Sequence, residues 1–179
     1  KKILQSLLAF FGYNTKLIPH YASLTRCMYR LLSKDTPFKW SSECEENLEK
    51  LKKAVADNVT LAVPDLMDKE QSYHLTIDGS KYGMAAHLSQ KINGERRIIG
   101  YFSKAVPHHK KDWGQTKLEL MTLFHAIKFW EPYLKGTTFH VNTDCLSICS
   151  LDTIFRKKDA TLRRKIQSLA EYSFTIGHL

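Results

Sequence analysis

Two alternating segments, each ending in an aspartate, constrain the fold of this chain more than any other feature. Residues Tyr73–Asp78 and Phe139–Asp144 alternate apolar and polar side chains, as a half-buried strand does. Between them, residues 113–134 carry apolar side chains at helical spacing. Because crossovers between parallel strands are almost always right-handed, we expect the two strands to be parallel neighbours. Both aspartates would then lie at the carboxyl ends of adjacent strands, where open α/β sheets place their sites.

The other hydrophobic patterns predict an α/β fold with a mixed five-stranded sheet and flanking helices. The predicted strands are Tyr73–Asp78, Gly83–Gln90, Arg96–Ser103, Thr137–Thr143 and Ser173–His178. The predicted helices are 113–134, 146–151 and 160–172. Asn93-Gly94 is a strong hairpin signal between the second and third strands. Three antiparallel strands should therefore come first, followed by parallel addition of the last two.

Residues 1–58 show only helical spacing, with Ser41 as a predicted N-cap. Three amphipathic helices of this size could form a small bundle, but the area that they can bury alone is modest, which favours packing on a neighbour. Residues 59–72 are predicted to be a linker, and residues 73–179 the sheet domain.

Composition narrows the classes of function. The net charge of +9 suits a polyanionic partner such as nucleic acid, although a merely soluble basic protein has the same property. The four cysteines show no C-x-x-C spacing, which favours a reducing, intracellular compartment, cytoplasmic or nuclear. No apolar run has membrane-spanning length, and we expect no membrane partner. Motifs of serine nucleophiles and phosphate loops are missing from the sequence.

Strand parity places both aspartates on the more polar face of their strands. The polar-face residues are His74, Thr76 and Asp78 in the first strand and His140, Asn142 and Asp144 in the second. Taken alone, each aspartate also fits a turn, as Asp78-Gly79-Ser80 permits.

Glu119 is the third acidic residue that needs an explanation, because it lies within the apolar helix. The apolar residues at the i+4, i+7, i+8 and i+11 positions are Leu123, Ala126, Ile127 and Trp130. A desolvated charge there costs several kcal/mol unless it is paired. Either an ion pair with Lys117 or His125, or a metal ion shared with Asp78 and Asp144, would account for it. Hard oxygen ligands favour Mg²⁺ or Mn²⁺, and two such ions about 4 Å apart can promote phosphodiester hydrolysis.

An ordered series of short motifs runs along nearly the whole chain. The motifs are Leu24–Trp40, Pro64-Asp65, Asp78-Gly79-Ser80, Gly83–Gln90, Ile99–Ser103, Lys117–Leu120, Pro132–Leu134 and Val141–Asp144. Together they resemble a gypsy-class LTR retrotransposon Pol polyprotein, at the end of its reverse transcriptase and its ribonuclease H domain. Each motif alone is weak, but the ordered combination is highly specific.

The resemblance implies an RNase H fold with Asp78, Glu119 and Asp144 as catalytic residues and metal ligands. The cofactor would be Mg²⁺ or Mn²⁺ in a two-metal site, and the substrate the RNA strand of an RNA–DNA hybrid. The upstream polymerase segment of the same polyprotein would be a partner. The basic residues nominated as nucleic-acid contacts are Arg156, Lys157, Lys158, Arg163, Arg164 and Lys165. A solvated charged surface is the alternative for each of them.

Two departures from the family qualify this expectation. The family has a fourth acidic ligand in a motif of which Ile176–Leu179 reaches only the start, so we expect a C-terminally truncated domain with weak or silent cleavage. Gly79 stands where the family has alanine, which is predicted to be a mild change. The alternative function is a domesticated, catalytically silent module that binds nucleic acid or a protein partner. An integrase fits less well, because the order here is Asp, Glu, Asp.

Overall fold

The computed structural model describes residues 1–57, 61–66, 73–107, 113–149, 151 and 159–179. The helices are α1 (Lys2–Tyr13), α2 (Tyr21–Leu32), α3 (Ser42–Ala56), α4 (Gln115–Phe129), α5 (Glu131–Leu134) and α6 (Ala160–Leu169). The strands are β1 (Tyr73–Gly79), β2 (Gly83–Ile92), β3 (Glu95–Ala105), β4 (Thr138–Thr143) and β5 (Ser173–His178). Two 3₁₀ turns, Thr15–Leu17 and Leu146–Ile148, complete the described elements.

The five strands form one mixed sheet in the order β3-β2-β1-β4-β5. β1 pairs antiparallel with β2, and β2 pairs antiparallel with β3. β4 adds parallel to β1, and β5 adds parallel to β4. The predicted fold class, with a three-stranded meander followed by parallel addition, is confirmed.

The turn between β2 and β3 has the conformation that its sequence predicts. Asn93 has φ 52° and Gly94 has φ 85°, so both central residues are left-handed. Two positive φ angles define the type I′ turn, whose twist matches that of antiparallel strands.

The long helix after the meander is shorter than predicted. It begins at Gln115, with Gly114 at the N-cap, and it ends at Phe129. Pro132 explains the end, because proline has no N–H to donate to the carbonyl of Lys128. The chain restarts as the short helix α5.

The main hydrophobic core lies between α4 and one face of the sheet. Leu75 of β1 and Val141 of β4 are fully buried, as are Leu120, Leu123 and Ile127 of α4. The alternate residues of β1 and β4 point to the other, more open face, as strand periodicity predicts.

The N-terminal helices have a second hydrophobic cluster of their own and also contact the sheet. Leu8, Ile18 and Leu51 are among its buried members. The Ala22 N–H donates to the Ser103 hydroxyl of β3 at 2.9 Å. Both expected arrangements, a small bundle and packing on a neighbour, therefore occur together. None of the described helices is long and apolar enough to cross a membrane.

Replacing Gly94 with alanine should lower the free energy of unfolding by about 1–2 kcal/mol, because a Cβ is disfavoured in the left-handed region. Gly100→Ala is the matched control, since its added Cβ meets no atom within 4 Å and its φ is not positive. Alanine there should be neutral or slightly stabilising. Urea unfolding of both variants checks the prediction, and equal effects would contradict it.

Candidate active site

Asp78 and Asp144 lie at the same end of two adjacent parallel strands. The last paired residues of β1 and β4 are Thr76 and Asn142, and each aspartate follows two positions later. Asp78 is still within β1, whereas Asp144 is the first residue after β4. Both residues are exposed. The parallel register therefore brings the two predicted carboxylates to one edge of the sheet.

Glu119 reaches this edge from α4 and is fully buried. Its Oε1 accepts a hydrogen bond from the backbone N–H of Gly79 at 2.7 Å. Its Oε2 accepts one from the Thr143 hydroxyl at 3.4 Å. One carboxylate thus contacts the residue after Asp78 and the residue before Asp144.

The environment of Glu119 raises its pKa from 4.5 to about 7. The largest cause is burial, which disfavours the charged form. The negative charges of Asp144 and Asp78 raise it further, while the hydrogen bonds from Gly79 and Thr143 oppose the rise. The three acidic groups therefore interact electrostatically, although they lie far apart in the sequence.

Gln115 is a partner of Glu119 that sequence analysis did not identify. Its Nε2 donates to the carbonyl oxygen of Gly79 at 2.7 Å and to Oε1 of Glu119 at 3.1 Å. Gln115 is four residues before Glu119, so helical spacing could have indicated the contact. The proposed ion pair with Lys117 is not formed, because Lys117 binds Asp159 at 2.7 Å.

Gly79 allows β1 to approach α4 closely. A Cβ at this position would lie 2.8 Å from Oγ1 of Thr122 and 3.1 Å from the backbone N of Glu119. The expectation of a mild change between alanine and glycine is therefore wrong for this geometry, because a methyl group would push against helix backbone.

Two histidines flank the aspartates. Nδ1 of His20, from the turn before α2, lies 3.8 Å from Oδ2 of Asp78, and both side chains are 56% exposed. Nε2 of His178 lies 3.1 Å from the backbone carbonyl oxygen of Asp144. No sequence pattern predicts the first contact, because His20 lies in the N-terminal helical segment, far from Asp78 along the chain.

The donor chemistry at this edge fits a divalent cation of the Mg²⁺ type. Asp78 and Asp144 offer exposed carboxylate oxygens, and a cation would relieve the repulsion that raises the pKa of Glu119. Within the described ranges, however, no three His, Cys, Asp or Glu side chains form a ready-made metal-binding group. Both Glu119 oxygens are instead hydrogen-bonded to protein donors.

The nominated basic residues are described only in part. Arg156, Lys157 and Lys158 lie outside the described residues. Arg163 and Arg164 are exposed on α6. Lys165 is half-buried, with its Nζ 3.6 Å from the centroid of the Phe124 ring.

Gly79→Ala should lower the free energy of unfolding by about 1–3 kcal/mol, because the added methyl group overpacks the contact between β1 and α4. Gly177→Ala, whose Cβ meets no atom within 4 Å, should change stability little. Thermal and urea unfolding measure both effects. A Gly79→Ala protein as stable as the control variant would show that α4 can shift freely.

Glu119→Gln should stabilise the protein at alkaline pH but not at acidic pH. Because the folded pKa of about 7 is above the unfolded value of 4.5, the wild type loses stability as pH rises through this window. The loss amounts to roughly 3 kcal/mol above pH 7 and is absent below pH 4.5. Urea unfolding of variant and wild type between pH 4 and 8 measures the difference. Glu95→Gln, which also removes one carboxylate but at an exposed position, is the matched control for the loss of one charge.

Comparison with known proteins agrees with this architecture. Residues 40–141 match the family described as the RNase H-like domain found in reverse transcriptase. The Pol polyprotein from transposon 412 of Drosophila melanogaster is 30% identical over 171 residues, which cover 96% of this chain and 14% of the polyprotein. The chain thus spans a small part of the curated relative.

Two solved structures share the fold. A foamy viral protease–reverse transcriptase dRH in complex with double-stranded DNA has a TM-score of 0.76 at 21% identity, covering 99% of this chain and 32% of that one. The foamy viral protease–reverse transcriptase in complex with an RNA/DNA hybrid has a TM-score of 0.73 at 19% identity, with coverages of 99% and 24%. From the family match and the polyprotein relative, the chain belongs to the RNase H-like domains found in reverse transcriptases and is related to the Pol polyproteins of retrotransposons.

Proposed function

We propose that this chain carries the ribonuclease H of a gypsy-class LTR retrotransposon. Its reaction would be the metal-dependent hydrolysis of the RNA strand of RNA–DNA hybrids during reverse transcription. The observation that carries the proposal is the convergence of three carboxyl groups, two exposed and one buried, at the carboxyl ends of β1 and β4. A structural ion pair does not explain Glu119, because its hydrogen-bond partners at this edge are Gly79, Gln115 and Thr143.

Asp78, Asp144 and Glu119 would hold Mg²⁺ or Mn²⁺ in a two-metal site. When bound, the cations would activate a water molecule and stabilise the leaving oxygen of the phosphodiester. Both aspartates are exposed to solvent, so a substrate phosphate can approach them. Glu119 supports them from the protein side; burial and the charges of the two aspartates raise its pKa to about 7 without a cation, and bound cations would favour its charged form.

The substrate class follows from the same chemistry. An RNA strand presents its 2′-hydroxyl in the minor groove, which lets a protein distinguish it from DNA. Arg163 and Arg164 are exposed and would contact the phosphate backbone. Arg156, Lys157 and Lys158 lie outside the described residues and are proposed as further backbone contacts on charge alone. The fold neighbours in complex with double-stranded DNA and with an RNA/DNA hybrid support a nucleic-acid substrate.

We also propose the division into a helical segment like the thumb or connection of a reverse transcriptase (residues 1–58), a linker (59–72) and an RNase H-like domain (73–179). The two separate hydrophobic clusters support this division. The upstream polymerase segment of the same polyprotein would be the partner of the N-terminal helices.

Cleavage of a labelled RNA–DNA hybrid in Mn²⁺ or Mg²⁺ tests the function. Asp78→Asn and Asp144→Asn should each reduce the rate by about 100-fold or more, because they remove several kcal/mol of transition-state stabilisation through the metal site. Asp57→Asn is the matched control, because it removes an exposed carboxylate that follows α3 and is not part of the candidate site. This variant should cleave the hybrid at the wild-type rate. Duplex DNA of the same sequence should not be cut.

The controls separate the proposal from its alternative. Cleavage that survives Asp78→Asn at the wild-type rate would sink the metal-site assignment. Tight hybrid binding without any cleavage in either metal, even by a longer chain that supplies a fourth acidic ligand, would favour the domesticated module that binds nucleic acid or a protein partner without catalysis.

A further inference from the structure

A basic and aromatic groove lies between α2 and β3, outside the candidate active site. Its volume is about 490 Å³. Its lining residues include Tyr21, Arg26, Tyr29, Arg30 and Ser103. Two arginines, two tyrosines and a serine thus line the groove, and of the two tyrosines Tyr21 is buried. Arg30 is exposed, and Tyr29 is 49% exposed, so a ligand can reach both.

The guanidinium group of Arg26 is held in place by an aromatic ring. Its Cζ lies 4.0 Å from the centroid of the Tyr82 ring, and Nζ of Lys81 lies 5.0 Å from the same centroid. The nearest acid is Glu43, whose Oε1 lies 4.0 Å from an Arg26 nitrogen in an exposed pair. Such surface pairs contribute little, so Arg26 keeps most of its attraction for an anion.

The turn that carries Tyr82 connects this groove to the candidate active site. Lys81 and Tyr82 follow Asp78 by three and four residues. Ser80 ties the turn together, because its N–H donates to the Gly83 carbonyl oxygen at 2.9 Å and its hydroxyl accepts from the Gly83 N–H at 3.1 Å. Arg26, which lines the groove, therefore contacts the turn that follows Asp78.

We propose that this groove binds the phosphodiester backbone of a nucleic-acid duplex whose neighbouring nucleotides lie at Asp78 and Asp144. Planar guanidinium groups bind phosphate through two parallel hydrogen bonds, and stacking on Tyr82 orders Arg26 before the ligand arrives. Opposite charge signs favour this occupant, since the groove offers Arg26 and Arg30 and the turn adds Lys81. The path of the duplex from the groove to Asp78 and Asp144 rests on the proposed function. The contact between the groove and a phosphate does not require cleavage.

Binding of fluorescent RNA–DNA hybrid and of duplex DNA, measured by anisotropy from 50 to 300 mM salt, tests the groove. The double variant Arg26→Gln/Arg30→Gln should bind both duplexes about tenfold more weakly and lower the salt slope by roughly 1.8, as expected for two lost phosphate contacts. Lys50→Gln/Lys53→Gln, on the exposed side of α3, removes the same charge and should leave the slope unchanged. Arg26→Lys/Arg30→Lys keeps both charges, so it should restore the salt slope but only part of the affinity, because lysine has no planar guanidinium group to stack or to bind in two places.

Tyr82→Leu separates a built site from general attraction, because it changes no charge. It should weaken binding several-fold by releasing Arg26, with an unchanged thermal midpoint as the check on folding. Three results would each overturn the proposed phosphate site. The first is wild-type affinity and salt slope in Arg26→Gln/Arg30→Gln. The others are an equal loss of affinity in the α3 control and the absence of duplex binding by the wild type. Cleavage that survives Asp78→Asn would instead overturn the proposed function and leave the groove standing.

Discussion

The parallel pairing of β1 with β4 is the interaction on which the rest of the candidate site depends. It aligns Thr76 with Asn142, and this register alone decides that Asp78 and Asp144 end at the same edge of the sheet. A slip of one residue would turn one aspartate to the α4 side, because strand side chains alternate between faces. The fully buried Leu75 and Val141 oppose such a slip, since it would exchange apolar residues in the core for polar ones.

The second constraint is the close approach of α4 to the end of β1. Gly79 has no side chain, so its N–H can reach Glu119 at 2.7 Å while Thr122 packs beside it. The same close approach buries Glu119 and brings it near the charges of both aspartates. Burial and these charges together raise its pKa. Packing and electrostatics are thus coupled at one residue, where a buried acid is costly for stability and suited to a cation.

The N-terminal helices contact the sheet beside the candidate site. His20 approaches Asp78, and Arg26 stacks on Tyr82 of the turn after β1. The N-terminal segment therefore supplies His20 and Arg26 to the two sides of the turn after β1. If the proposed function holds, these groups would contact a duplex away from the reacting bond and help to position it.

The amino-acid sequence by itself determined the strand order, the hairpin at Asn93-Gly94 and the parity of both aspartates, because these depend on local periodicity and turn chemistry. It also marked Glu119 as an acid in an apolar helix. Only the tertiary structure decided that Gln115, Thr143 and His20 contact the carboxylates, and that a side chain at position 79 would crowd α4. The physical reason is that hydrogen bonds and close packing depend on the distance in space between two segments. That distance cannot be read from how far apart the segments lie along the chain.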